Sequence, residues 1–305
     1  MSRQFLALHI QDDAHPSDIF ASAVTSKYVL TGSGDVALKV WDINSDAHER
    51  VHTFHYHKLG IHHIATDAEG KLAASAGFDG QVMLYDMQEL EEIGTIGNDQ
   101  STMAGEAWAI AFSPDGKKLA ATTYDGRVNV WDTQTRSRTA EFQTKGVFGV
   151  TLDWSSDGKY VASGHANGGL YIFSMAKGKL LHSLSGHNRT IRSVKFSPGS
   201  SLLAAAGDST VLTLYDLKAG EQVGEMKSHT KWIFSVGWNA SGELLATGSF
   251  DGKVKIWSLE RKECVSTQSE SDGALWNVSW LRAGQRNEFV TTGADGALRF
   301  YREAG

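Results

Sequence analysis

Apolar and polar residues alternate along this chain in short runs, and the runs come in sets. From Ser235 to Val265 the order is an apolar run, a glycine turn, a second apolar run, small residues, Asp-Gly, an alternating run and an aromatic. Short alternating runs bounded by turn residues predict strands rather than helices. The same order recurs along the chain, ending each time in an aromatic: Trp41, Tyr85, Trp131, Phe173, Tyr215, Trp257 and Tyr301. These landmarks lie 44, 46, 42, 42, 42 and 44 residues apart. In four copies an Asp-Gly pair sits between two alternating runs, at Asp79-Gly80, Asp125-Gly126, Asp251-Gly252 and Asp295-Gly296, and the landmark follows six positions after the Asp. Asp-Gly at that place predicts a tight hairpin. The other copies use Asp35-Val36, Asn167-Gly168 and Ser209-Thr210.

A period in the low forties with four strands per unit resembles the WD40 repeat, in which each unit is one propeller blade. Trp41-Asp42, Tyr85-Asp86, Trp131-Asp132, Tyr215-Asp216 and Trp257-Ser258 stand where that family has its Trp-Asp pair. The expected fold is all-β, a single seven-bladed WD40 β-propeller over residues 1–305. Its blades fall roughly at 15–56, 57–102, 103–144, 145–186, 187–228, 229–270 and 271–305. The last copy stops after its third strand, so residues 3–9, which alternate, are expected to supply its outer strand and close the ring. The resemblance also implies a hydrogen-bonded tetrad of His, Ser or Thr, Asp and Trp. His15, Thr31, Asp35 and Trp41 match it in the first blade, and His229, Thr247, Asp251 and Trp257 in the sixth. His57, Ser75, Asp79 and Tyr85 nearly match in the second, whereas Met103 and Ser271 replace the His in the third and seventh. A buried His and Asp each need a partner, so these residues read as structural rather than catalytic.

Composition narrows the function classes. Lys and Arg number 29 against 35 Asp and Glu, a net charge of −6 with no basic run, which argues against direct nucleic-acid binding. Cys264 is the single cysteine, which excludes an intramolecular disulfide framework and a multi-cysteine zinc site. No apolar run reaches the ~18 residues of a membrane span, and the amino-terminal stretch is too short for a signal peptide. The chain is therefore expected in a reducing compartment, soluble and off the membrane. No nucleophile elbow, phosphate loop or metalloprotease helix occurs, and no cofactor, metal or catalytic residue is assigned. The cluster His55, His57, His62 and His63 does not read as a metal site, because His57 belongs to a tetrad and His62 and His63 alternate along a strand.

In this family the residue near the start of each inner strand faces the central top surface. Here those positions carry Phe20, His62, Trp108, Val150, Arg192, Phe234 and Trp276; one step earlier lie Asp18, Gly60, Glu106, Phe148, Thr190, Trp232 and Ala274. Large aromatics around a water-facing mouth are costly unless a partner covers them, and they are the residues from which interface hot spots are built. Phe20, Trp108, Trp276, Phe234, Trp232 and Arg192, with Asp18 and Glu106 as acceptors, form the expected partner-binding face. It suits a short segment that offers an apolar anchor and an arginine.

Across its whole length the chain further resembles the WD40 subunits of fungal superkiller complexes, the superkiller protein 8 family. The residues that carry this are HPSDIF (His15 to Phe20), LKVWD (Leu38 to Asp42), HKLGIHH (His57 to His63), TIRSVKFSP (Thr190 to Pro198) and the closing FYREAG (Phe300 to Gly305). The resemblance implies a non-enzymatic scaffold that joins a tetratricopeptide-repeat subunit and a DExH-type RNA helicase, supporting exosome-mediated 3′-to-5′ decay of cytoplasmic mRNA and restraining viral RNA. It implies a cytoplasmic location with a nuclear pool, and in meiosis a topoisomerase-like break-forming partner. Partners in that family present a Gln-Arg-x-x-aromatic segment to the top face. The competing expectation is a WD40 adaptor or histone-tail reader of another complex, for which the same aromatics would form a methyl-lysine cage.

Overall fold

The computed structural model describes residues 3–45, 47–96, 107–145, 147–282 and 287–304. These residues form seven four-stranded antiparallel sheets, each running outward from an inner strand. The first blade shows the plan, with strands Ile19–Val24, Tyr28–Ser33, Leu38–Asp42 and Arg50–Phe54. Its third strand, Leu-Lys-Val-Trp-Asp, is buried on both faces because a neighbouring blade covers each. The described residues hold seven separate apolar clusters rather than one core, and each bridges two adjacent blades. A blade therefore cannot bury its apolar faces alone.

The ring is closed by the amino terminus, as the truncated last copy predicts. Strand Phe5–Gln11 lies antiparallel on Leu298–Glu303, the third strand of the seventh blade, with Phe5 opposite Glu303, Ala7 opposite Tyr301 and Gln11 opposite Leu298. Phe5 is 3% exposed, in contact with Trp280 (centroids 6.1 Å apart) and Phe289 (5.4 Å). Arg3 adds a bond from its backbone N–H to Val265 O of blade six (2.9 Å) and an ion pair with Glu303 (2.8 Å). The closing strand thus joins the last blade and also stitches it to the one before.

Turn chemistry and blade contact require the same residues. Gly252 and Gly296 sit at φ 72° and 71°, in the left-handed region that suits glycine. A Cβ on Gly252 would lie 1.9 Å from Ser271 O, and one on Gly296 would lie 2.3 Å from His15 O. The linker into the next blade runs over each turn, including the step from blade seven back to blade one.

The tetrads hold second strand, third strand and linker together. In the first blade His15 Nδ1 lies 2.9 Å from Asp35 Oδ2, its Nε2 lies 2.8 Å from Thr31 Oγ1, and Trp41 Nε1 donates to Thr31 Oγ1 at 2.9 Å. A carboxylate only accepts, so Nδ1 donates to Asp35 and Nε2 accepts the Thr31 hydroxyl proton. The sixth blade repeats this with His229–Asp251 at 2.9 Å, His229–Thr247 at 2.7 Å and Trp257–Thr247 at 2.8 Å. In the second, Tyr85 O–H replaces the indole N–H, 2.8 Å from Ser75 Oγ. The position of Met103 lies outside the described residues.

Two blades fill the histidine site from elsewhere, which the spacing rule does not anticipate. In blade seven Ser271 does not take the histidine's place. Glu270, one residue earlier, turns inward and accepts from Thr291 Oγ1 at 2.6 Å, with Arg299 bonded to Asp295 beside it. Burial pushes the Glu270 carboxyl up to about 7, against the opposing pull of Thr291 and Arg299. In blade four His165, on the second strand itself, bonds Ser163 Oγ (2.9 Å) and Val147 O (2.8 Å).

Two outcomes follow for stability. Deleting residues 1–11 should lower the urea midpoint of the whole ring in a single transition, and Phe5→Ala alone should cost about 3–4 kcal/mol. Separate loss of only blade seven, read by hydrogen exchange, would contradict the closure role. Thr247→Val leaves His229 and Trp257 without their shared hydroxyl and should cost about 2–4 kcal/mol. An effect below ~1 kcal/mol in equilibrium unfolding would show that the tetrad does not stabilise the blade.

Candidate functional site

Every inner strand carries a register shift at its second residue. The shifts fall between Ile19 and Ala21, Ile61 and His63, Ala107 and Ile110, Gly149 and Thr151, Ile191 and Ser193, Ile233 and Ser235, and Leu275 and Asn277. A bulge residue has no partner opposite it and its side chain is re-aimed. The residues so released are Phe20, His62, Trp108, Val150, Arg192, Phe234 and Trp276, the set expected around the mouth. Several of them line a central cavity of about 480 Å³, among them Phe20, His62, Arg192, Phe234 and Trp276.

The turn between second and third strands rises beside each bulge. Its leading residue bonds through its backbone N–H to the linker, as in Gly34 to Asp18 O, Phe78 to Gly60 O, Asp208 to Thr190 O and Phe250 to Trp232 O. Each blade thus presents a bulge residue and a turn residue side by side: Phe20/Gly34, His62/Phe78, Trp108/Tyr124, Val150/Ala166, Arg192/Asp208, Phe234/Phe250 and Trp276/Ala294.

The rings touch across blades. Trp108 stacks on His62 at 4.2 Å and meets Phe148 at 5.1 Å, and Tyr124 stacks on Phe148 at 4.5 Å. Phe20 joins Phe78 (5.8 Å) to Trp276 (5.5 Å), and Trp276 meets Phe234 at 4.5 Å. Arg192 lies over Trp232 (4.7 Å) and Phe234 (5.1 Å). The outcome is a continuous aromatic arc from blade six through blades seven, one, two and three to Phe148 of blade four, with the Arg192 guanidinium of blade five against its other end.

Two details differ from an open ring of water-facing aromatics. Phe20, Trp108, Phe234 and Trp276 are only half-exposed, because bulge residues crowd a narrow mouth and cover one another. Most of the exposed ring surface belongs to Phe78, Tyr124, Trp232 and Phe250, which are 46%, 54%, 43% and 42% exposed. Of these only Trp232 is in the expected set. The missed signal was a register position: the residue before the turn Asp is aromatic in three of the Asp-Gly blades. The Asp18 carboxylate accepts from Trp276 Nε1 at 3.0 Å, so it orients that indole. Glu106 lies outside the described residues.

No three His, Cys, Asp or Glu side chains are grouped as a metal site among the described residues. No helix of the described residues is long and apolar enough to cross a membrane. His62, stacked under Trp108, is held neutral: burial lowers its pKa to about 4, and burial lowers that of His15 to about 4 as well, despite Asp35.

Comparison with known proteins adds to this geometry. Residues 48–86, 97–132, 136–174, 178–213 and 220–258 match the family described as WD domain, G-beta repeat. The segments 48–86, 136–174 and 220–258 each begin with the outer strand of one sheet and end with the third strand of the next. The chain is 42% identical over 216 residues to meiotic recombination protein rec14 of Schizosaccharomyces pombe, which covers 70% of this chain and 71% of that protein. It is 32% identical over 212 residues to WD repeat-containing protein SL1-17 of Schistosoma mansoni, covering 68% and 69%. With antiviral protein SKI8 of Saccharomyces cerevisiae it shares 29% identity over 266 residues, covering 70% and 66%.

The histidines set a pH dependence. Their folded pKa near 4 lies below the ordinary 6.5, so the unfolded chain takes up protons first as pH falls. Stability fully present above pH 6.5 should decline towards pH 4, read as a falling thermal midpoint. An NMR titration placing the His62 midpoint near 6.5 would show that its stack on Trp108 does not exclude water.

Proposed function

The chain belongs to the WD40 repeat family and resembles superkiller protein 8, and from that premise we propose that it is a non-enzymatic scaffold whose aromatic face docks short segments of larger partners. The observation that carries this reading is the arc itself. Four large rings, each more than 40% exposed, stand on one face around one mouth, backed by half-buried rings that hold them in place. Such a surface favours an extended segment with an aromatic anchor. The closed ring is already ordered, so only the segment loses conformational freedom on docking.

The partners we propose are a tetratricopeptide-repeat subunit and a DExH-type RNA helicase of a superkiller complex, in support of exosome-mediated mRNA decay in the cytoplasm. A nuclear pool would serve meiotic recombination through the topoisomerase-like break-forming protein. The names of two relatives, an antiviral protein and a meiotic recombination protein, support both branches. The acidic balance of the chain, −6, favours protein partners over RNA.

Tyr124 and Phe78 are better probes than Trp108, whose indole is sandwiched among His62, Phe148 and Tyr124, where a charge would disturb the packing. Tyr124→Ala with Phe78→Ala should weaken a Gln-Arg-x-x-aromatic peptide by at least ~2 kcal/mol, roughly thirtyfold, with the thermal midpoint unchanged. Equal calorimetric affinity for wild type and variant would remove these rings from the site. Tighter binding of a trimethyl-lysine histone peptide than of that segment would favour the reader function instead.

A further inference from the structure

Six of the seven bulge-and-turn pairs around the mouth contain no ion pair. Blade five departs: Arg192 at the bulge meets Asp208 at the turn, through bonds from Nε to Oδ1 and from Nη2 to Oδ2. The guanidinium also lies over Trp232 and Phe234. It is therefore fixed on three sides by a carboxylate and two rings. Both bonds to Asp208 use Nε and Nη2 and leave Nη1 without a hydrogen-bond partner among the described residues. The side chain retains 26% of its exposure and borders the central cavity.

A charged group placed beside an aromatic arc costs desolvation unless it is paired and hydrogen-bonded. Asp208 offsets that cost only in part, because one carboxylate cannot satisfy all five N–H donors of an arginine. A further cation lies in the neighbouring blade. Lys231 Nζ sits 5.1 Å over the Phe250 ring, and the carboxylate of Asp251 is already taken by His229 and the Thr230 N–H. An arriving acceptor would thus meet a preoriented donor beside the exposed Trp232, while the turn carboxylates of both blades, Asp208 and Asp251, are already engaged.

We propose that Arg192 reads a carboxylate on the docked segment, placed beside the segment's aromatic anchor at Trp232. The segment's Asp or Glu accepts from Nη1, while Asp208 stays in place as the group that aims the guanidinium. Arginine suits this role better than lysine, because its rigid fork commits Nε and Nη2 to Asp208 and holds Nη1 in a fixed direction, whereas an ammonium on a flexible stem fixes no direction for a second carboxylate. This inference rests on the docking reading above and adds to it a preference for acidic residues.

The test is an array of synthetic random decapeptides probed with the labelled full chain. Wild type should select peptides that combine an aromatic with an Asp or Glu, and raised salt should weaken them. Arg192→Gln should keep the aromatic preference and bind the acidic peptides about tenfold more weakly. Arg192→Lys, which retains a charge for Asp208 and so guards against misfolding, should lose the acidic preference too. Aromatic selection by wild type without any acidic preference overturns the role of Arg192 and leaves the docking reading intact. Retained acidic preference in both variants does the same. Absence of any peptide binding by wild type overturns the docking reading, and this inference with it.

Discussion

The structure depends on one constraint: each sheet must have a neighbour on both faces, and the chain must therefore meet itself. Seven apolar clusters lie between blades, including one shared by blades six and seven and one by blades seven and one. In an open array the cluster between blades seven and one loses one wall, and the one between blades six and seven loses Phe5. The seventh blade has only three strands from the carboxyl-terminal end, and the fourth comes from Phe5–Gln11. The hydrogen bonds between that strand and Leu298–Glu303 hold first and last segments in one sheet, so separating them exposes two blade interfaces at once. Phe5, buried against Trp280 and Phe289, adds an apolar lock to the seam.

Closure also makes the binding face. Seven inner strands converge on a channel, and each one bulges at its second residue. The convergence brings released side chains of different blades into contact, as in Phe234–Trp276–Phe20 and His62–Trp108, which no single blade could do. Large side chains there cover each other, so a half-exposed second tier supports the exposed first tier of Phe78, Tyr124, Trp232 and Phe250. The support matters for recognition, because an anchor that is already fixed loses little freedom on binding. Blade five ends the arc with Arg192 and Asp208, giving a largely aromatic face a guanidinium held in one direction.

The tetrads show how far local spacing carries. Thr31, Asp35 and Trp41 could be picked out because each sits at a fixed offset from a turn, and the turn is a local signal; the histidine is less regular, 20 residues before the Asp in blade one and 22 in blades two and six. Blade seven could not be read that way. Its histidine place is filled by Glu270, one position before Ser271, which lies one 42-residue repeat after His229, and what fixes that carboxyl is contact with Thr291 and the neighbouring Arg299. Blade four fills the same place with His165 from its own second strand. Offsets describe where a chain is; they do not say which of two adjacent side chains turns inward.

The sequence by itself determined the number of blades, the strand order, the turns and the closing role of residues near the amino terminus. Each of these follows from alternation and turn chemistry repeated at one period, which are properties of neighbours along the chain. It also named most of the residues at the mouth. The tertiary structure alone decided which of them face water, that Asp18 is held by Trp276, and that Arg192 pairs with Asp208 across a bulge. Those outcomes depend on how closely separate blades approach around a ring, a distance that no single repeat contains.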